Sequence, residues 1–223
     1  LPKTHYLCPD IHSFTEEKIQ ILKQQGYTHI KLKLGRDLDF ETKQLKKHFN
    51  QLNSFQWRLD FNESLTVEAF QTWWHENKNI LRPLLDYIED PMPFDAAAWE
   101  TLNAPIALDR GLDFENLKNF SGNCIVFKPA NNILQWLSNL KHRVVFSNYM
   151  DHPLGEMTAI YAAQQYYEET TKEEVCGLKA WTLYEKNEFS EQLKDLGPKL
   201  FLAQGPGFGF GNLLEKQNWK VLK

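Results

Sequence analysis

The sequence predicts an α/β fold of the (β/α)8-type barrel class, on three observations. Short apolar runs rich in β-branched and aromatic residues alternate with helical stretches along most of the chain, and such alternation implies parallel strands joined by right-handed crossovers. The strand candidates number about eight, which favours a closed barrel over an open doubly wound sheet. Five successive candidates carry charged residues at or near their carboxyl ends, the end of a β/α barrel where active sites are assembled.

Taken in order, the first strand is Tyr6 to Cys8, followed by a helix in "SFTEEKIQILKQQGY", with Ser13 as cap, Glu16 completing a capping box and Gly26 closing it. Strand "HIKLKLG" leads to a helix from about Phe40 to Leu52, and strand "FQWRLDFN" to a helix from Thr66 to about Asn79. Strand "DYIEDP" precedes a short helix from Phe94 to Leu102; "PIALD" and "CIVFKP" are strands separated by a short helical stretch. Helix "NILQWLSNL", strand "RVVFSN" and helix "GEMTAIYAAQQYYEE" follow, and "CGLKAWTL" is the candidate eighth strand. The barrel is expected over residues 1–199. "GPGFGFG" lacks the Lys-Ser/Thr and the strand-to-helix setting of a phosphate loop, so residues 200–223 read as a tail.

Composition excludes several classes. The 223 residues are 42% hydrophobic, enough for a sizeable core. A net charge of −4, a pI near 6.0 and dispersed lysines and arginines argue against nucleic acid as a partner. No apolar run approaches the roughly 18 residues of a membrane span and no leader pattern opens the chain, so a cytoplasmic protein without membrane contact is expected. Cys8, Cys124 and Cys176 are odd in number and widely spaced, which suits reduced thiols rather than disulfides or a metal pair.

The charges then concentrate the argument. Lys31 and Lys33 share one face of an otherwise apolar strand; Asp60, Glu89, Asp109 and Lys128 stand at the ends of the next four. Separations of 29 residues from Asp60 to Glu89 and 20 from Glu89 to Asp109 match one acid per strand–helix unit. Three converging carboxylates repel unless neutralised, and hard oxygen ligands of this kind suit Mg²⁺. The lysine strand and the Lys128 strand would face each other across the barrel, with a metal-held carboxylate substrate between them. Lys31 is the neighbouring ammonium that tunes Lys33. A base beside a metal-bound carboxylate is the arrangement that removes an α-proton.

"KLKLG", "RLDFN", "YIEDP", "IALD", "VFKP" and "VFSNYMDHPLG", in this order, resemble the barrel domain of the o-succinylbenzoate synthase family, in the muconate-lactonizing branch of the enolase superfamily. The resemblance implies that Lys33 is the general base, that Asp60, Glu89 and Asp109 bind Mg²⁺, and that Lys128 stabilises charge on the opposite side. It implies a dehydration of 2-succinyl-6-hydroxy-2,4-cyclohexadiene-1-carboxylate to o-succinylbenzoate, toward menaquinone. By the same resemblance Asn62 orders the metal surroundings, and Ser147 and the backbone at Gly177 fall where the succinyl tail is held. Arg58, deeper on the Asp60 face, reads either as an orienting group or as an ion pair at the barrel bottom. Arg110 and Gly111 after Asp109 depart from the Glu-Ser of many relatives. The family also carries an N-terminal α+β capping domain that is absent from this sequence, which opens at "LPKTHYL" without a methionine. These residues are therefore expected to be the barrel part of a longer protein, with the tail packing on the cap.

Rival readings are an N-acylamino-acid racemase using Lys33 and Lys128 as two bases, and a noncatalytic carboxylate-binding barrel. A dipeptide epimerase is disfavoured, because "CGLKAWTL" has no carboxylate to hold a substrate amine.

Overall fold

Residues 1–130, 137 and 140–220 are described by the structure, a computed structural model. Seven parallel strands, β1 (Tyr6–Cys8), β2 (His29–Lys33), β3 (Gln56–Asp60), β4 (Leu85–Glu89), β5 (Ile106–Leu108), β6 (Cys124–Phe127) and β7 (Arg143–Phe146), lie in sequence order in one sheet. Seven α-helices accompany them among the described residues: α1 (Glu16–Gln24), α2 (Leu38–Leu52), α3 (Val67–Leu81), α4 (Ala96–Glu100), α5 (Phe114–Asn119), α6 (Pro153–Thr170) and α7 (Gly211–Leu214). The helix expected in "NILQWLSNL" lies largely outside the described residues.

The eighth strand shrinks to a two-residue stitch. Cys176 bridges Thr4 and Gly177 bridges Ser147, both in parallel. The Cys176 amide donates to the Lys3 carbonyl (2.7 Å), the His5 amide to the Cys176 carbonyl (2.8 Å) and the Gly177 amide to the Phe146 carbonyl (2.8 Å), so the stitch joins the two edges of the sheet. It stops there because other acceptors capture the following amides. Leu178 donates to Thr4 Oγ1 (3.0 Å), while Ala180 and Trp181 donate to Glu156 Oε2 (2.9 and 3.2 Å). The rest of "CGLKAWTL" leaves the sheet as a short 3-10 turn at Trp181–Leu183.

Caps explain where the helices begin. Thr15, not Ser13, accepts from the Lys18 amide and starts α1, because Ser13 lies in a preceding 3-10 turn and donates instead to the Asp10 carbonyl. Asp37 accepts from the Phe40 amide and starts α2 two residues ahead of the sequence expectation. Thr66 caps α3 as expected, and Gly26 closes α1 with φ +83°.

Alternation divides the strand residues into two sets. Ile30, Leu32, Leu59, Ile88, Leu108, Ile125 and Phe127 pack with the helices in one continuous core, while Tyr87, Ala107, Cys124, Val126 and Val145 form a separate small cluster inside the sheet's curve. All three cysteines are free and buried, in keeping with the expectation of reduced thiols. The tail is not merely extended. Phe210 is buried against Phe189, with ring centroids 5.3 Å apart, and Leu213 joins the same core, whereas Trp219 is exposed.

Candidate active site

Register puts the acids and lysines side by side. Lys33 pairs with Asp60, and Asp60 with Glu89, across β2, β3 and β4. Lys31 and Lys33 do share the inward face, and they meet on one oxygen: Asp60 Oδ2 accepts from Lys31 Nζ at 2.9 Å and from Lys33 Nζ at 3.1 Å. Lys31 also reaches Glu89 Oε1 at 2.5 Å. Burial alone would lower the Lys31 pKa, but Asp60 and Glu89 outweigh it and hold the ammonium well above its ordinary range. The Asp60 carboxyl is correspondingly held down to about 2: burial raises it, and the two lysines more than reverse that.

Neighbouring loops hold these groups in place. Gly35, at φ +95°, follows β2 where a Cβ would stand 1.9 Å from Ser64 Oγ, so the loops after β2 and β3 pack directly together. Glu41 at the start of α2 accepts from the Gly35 and Arg36 amides (2.7 and 3.1 Å). Asn62, with φ 51°, donates from its side chain to Asp60 Oδ1, and its Oδ1 accepts from Lys33 (3.2 Å) and Arg110 (3.4 Å). Arg110, the departure noted after Asp109, therefore reaches across to the loop after β3, where Glu63 lies 3.5 Å away.

The carboxylates converge in two groupings. Glu89, Asp90 and Asp109 each bring an oxygen to within 4.8 Å of the others, and could hold a metal ion, whereas Asp60 is drawn to the lysines. Asp90 is the member of that trio missed by sequence reasoning; its only signal was the second acid in "IEDP". Its oxygens accept from the Asp109 and Arg110 amides (2.9 and 2.8 Å), so it serves the loop after β5. Burial, then the nearby Asp109 charge, pushes the Asp90 pKa up to about 7. Glu89 differs: its Oε2 is fully buried with no hydrogen-bond partner among the described residues. A cation would satisfy that oxygen, and the set of hard carboxylate donors fits a divalent ion such as Mg²⁺.

Opposite β2, Lys128 at the end of β6 is ion-paired with Asp109 and lies 4.8 Å from the centroid of the Tyr149 ring. The loops and strand ends enclose a cavity of about 1000 Å³, lined among others by Lys33, Asp60, Asp109, Lys128, Ser147 and Gly177. Ser147 Oγ donates to the Gly177 carbonyl at 3.2 Å. Arg58 does not reach this rim. It is fully buried below it, where Nε donates to Asp86 Oδ2 at 2.8 Å and Nη1 lies 3.0 Å from His5 Nδ1.

Glu156 on α6 was also missed; nothing in "PLGEMTAI" distinguishes it from a surface glutamate. It is buried, and besides Ala180 and Trp181 it accepts from Asn148 Nδ2 (3.2 Å), tying the loop after β7 to the chain beyond the stitch. Burial raises its pKa to about 7 despite these donors.

A parallel β/α sheet closed by the stitch, with lysines facing a carboxylate cluster at its carboxyl ends, defines the class: a β/α barrel with a candidate metal centre at its mouth. In fold, the chain resembles a solved o-succinylbenzoate synthase from Thermosynechococcus elongatus BP-1 with Mg in its active site (TM-score 0.65, 22% identity, 79% of this chain and 60% of that one). It also resembles the L-Ala-D/L-Glu epimerase from Bacillus subtilis (TM-score 0.76, 17% identity, 93% of this chain and 62% of that one). The chain thus spans about 60% of the length of these solved structures. A scan against protein-family models finds no match. Over 99% of its length the chain is 33% identical to o-succinylbenzoate synthase from Bdellovibrio bacteriovorus, covering 69% of that protein. It belongs to the o-succinylbenzoate synthase family.

Proposed function

We propose that this chain carries the catalytic barrel of a Mg²⁺-dependent dehydratase that converts 2-succinyl-6-hydroxy-2,4-cyclohexadiene-1-carboxylate to o-succinylbenzoate in menaquinone biosynthesis, in the cytoplasm. The observation that carries this reading is the placement of Lys33 and Lys128 on facing strands with the carboxylates between them, in a chain of this family. Asp60, Glu89 and Asp109 would hold the ion, and Asp90, whose oxygens accept from the Asp109 and Arg110 amides, would position the Asp109 loop. Bound there, Mg²⁺ supplies charge stabilisation for an enediolate. Deprotonated Lys33 Nζ takes the proton α to the substrate carboxylate; one C–H and one C–O bond break, and the elements of water leave. Lys128 places its positive charge on the other side of the ring. Lys31, matched to Asp60 and Glu89, keeps two converging acids compatible in a buried site.

The test is a dehydratase assay of the full-length protein with and without Mg²⁺. Mg²⁺-independent turnover would sink the metal assignment, and no turnover under any condition would sink the reaction. The same facing lysines favour a second reading, N-acylamino-acid racemization. In D₂O, a racemase would exchange the α-proton of one enantiomer in each of Lys33→Ala and Lys128→Ala, whereas in the dehydratase only Lys33 controls exchange.

The upstream α+β domain expected to roof the mouth, and the packing of residues 200–223 against it, belong to this proposal. Loops such as Asn62–Thr66 are short, and a wet site weakens stabilisation of an enediolate.

A further inference from the structure

His5 stands in the wall of the cavity and has no part in the reaction described above. It lies just ahead of β1, is 7% exposed, and lines the same space as Lys33 and Asp109. Its position is held by the stitch, through the His5 amide bond to the Cys176 carbonyl. Its tautomer is held from behind. Nδ1 lies 3.0 Å from Arg58 Nη1, and a guanidinium only donates, so Nδ1 is the acceptor and the ring proton sits on Nε2. Burial, then the Arg58 charge, keeps the imidazole neutral by holding its pKa well below the ordinary value.

The Nε2 edge points to where Gly177 and Ser147 meet. A Cβ on Gly177 would lie 2.8 Å from His5 Cε1, 3.1 Å from Nε2 and 3.0 Å from Ser147 Oγ. Glycine is therefore required for the imidazole and the hydroxyl to approach each other. No described residue accepts a hydrogen bond from Nε2. A neutral N–H donor, polarised from behind by an arginine and left over at a cavity wall, suits an anionic oxygen.

Location specifies the ligand. β1, β7 and the stitch form the wall across the barrel from β4, which carries Glu89. At the Ser147 and Gly177 wall, where the family resemblance already puts the tail, we propose that His5 Nε2–H binds the far carboxylate of an elongated dicarboxylate ligand whose other carboxylate faces the acidic cluster, and that Arg58 is the positioning residue that fixes the His5 tautomer. The assignment rests on the dehydratase reading, where the far group is the carboxylate of the succinyl tail.

The experiment measures binding of o-succinylbenzoate, and of 2-butanoylbenzoate, in which a methyl replaces the tail carboxylate, to full-length protein with Mg²⁺. His5→Leu should weaken o-succinylbenzoate about tenfold or more, the scale of a hydrogen bond to a charged group, and leave 2-butanoylbenzoate unchanged. His5→Gln, which keeps an N–H donor, should restore much of the loss. Should the leucine variant fail to fold, ¹⁵N-histidine spectra of the unaltered protein decide. The Nε2–H tautomer should be present in the free state, and its proton should move downfield with o-succinylbenzoate only. Equal losses for both ligands, no loss for either, or an unmoved Nε2–H signal would overturn the role of His5 while leaving the dehydratase reading standing. Unaltered protein that binds neither ligand would overturn that reading and this assignment together.

Discussion

Two charge networks occupy opposite ends of the same barrel, and they are built from different side chains. At the base, Arg58, Asp86, Arg143 and Glu174 interlock: Asp86 accepts from Arg58 Nε and Arg143 Nη1 (both 2.8 Å), and Arg143 grips Glu174 with Nε and Nη2 (2.9 and 2.8 Å). At the mouth, the carboxylates Asp60, Glu89 and Asp109 are met by lysines, Lys33 is about a third exposed on its side chain, and Glu89 Oε2 has no hydrogen-bond partner among the described residues. A guanidinium is a rigid fork that saturates a carboxylate; an ammonium is a point charge that can give up its proton. The base network matches two guanidinium groups to two carboxylates, with Arg58 Nη2 left without a partner among the described residues, whereas at the mouth the atom so left is a carboxylate oxygen, Glu89 Oε2. The proposed function makes the first architecture and the second chemistry, although they share a strand: Arg58 and Asp60 are two residues apart on β3.

Four perturbations would break or sharpen this contrast. The largest effect is expected from exhaustive chelation, which should bring turnover to background while thermal unfolding shows the barrel still folded; full activity after chelation contradicts the assignment of the mouth. Next, Lys33→Ala should cost about 10²- to 10⁴-fold in kcat, the usual share of a general base, with ligand affinity and denaturation midpoint near those of the unaltered protein. If stability falls as much as rate, Lys33 is as structural as the arginines below it.

Asp86→Ala reverses the pattern. It leaves Arg58 fully buried without its carboxylate, while the half-buried Arg143 keeps Glu174, so a stability loss of about 3–5 kcal/mol, carried by Arg58, is expected from urea titration. A variant that keeps its midpoint would show that the base network contributes nothing to architecture. The smallest effect concerns pH. Glu156 holds its proton to about pH 7 in the folded chain, against an ordinary value of 4.5. Between those values the folded chain binds a proton that the unfolded chain has released, so its contribution falls as pH rises through the window, by about 3 kcal/mol at most. Glu156→Gln should flatten that slope and be the more stable form at pH 8. His29 works in the opposite direction: burial lowers its pKa to about 4, so its contribution is lost as pH falls below 6.5.

The strand order and the mouth residues were legible because period-two apolar runs and charges at strand ends are local signals. Lys33, Asp60 and Glu89 stand in register as their strand positions imply. What was not legible depends on partners distant in sequence. The truncation of the eighth strand is decided by Glu156 capturing two amides 24 and 25 residues away. Asp90 and His5 look ordinary in their own stretches; their meaning comes from the amides after β5 and from Arg58, 53 residues beyond His5. Ser13 fits a cap by its spacing to Glu16, yet the 3-10 turn at Ile11–Ser13 consumes it.

The two-residue stitch also has a consequence in time. Thr4 and Cys176 are 172 positions apart in a chain of 223, so their union closes a loop that holds all seven strands, and little rewards that closure until the intervening strands have assembled. Ring closure is then expected late in folding, and the amides of Cys176 and Gly177, few and at the seam, should be the first in the sheet to exchange with deuterium. A seam held by so few backbone bonds gives the β1–β7 wall less protection than the β3–β4 side, where the strands stay paired from Trp57 to Asp60.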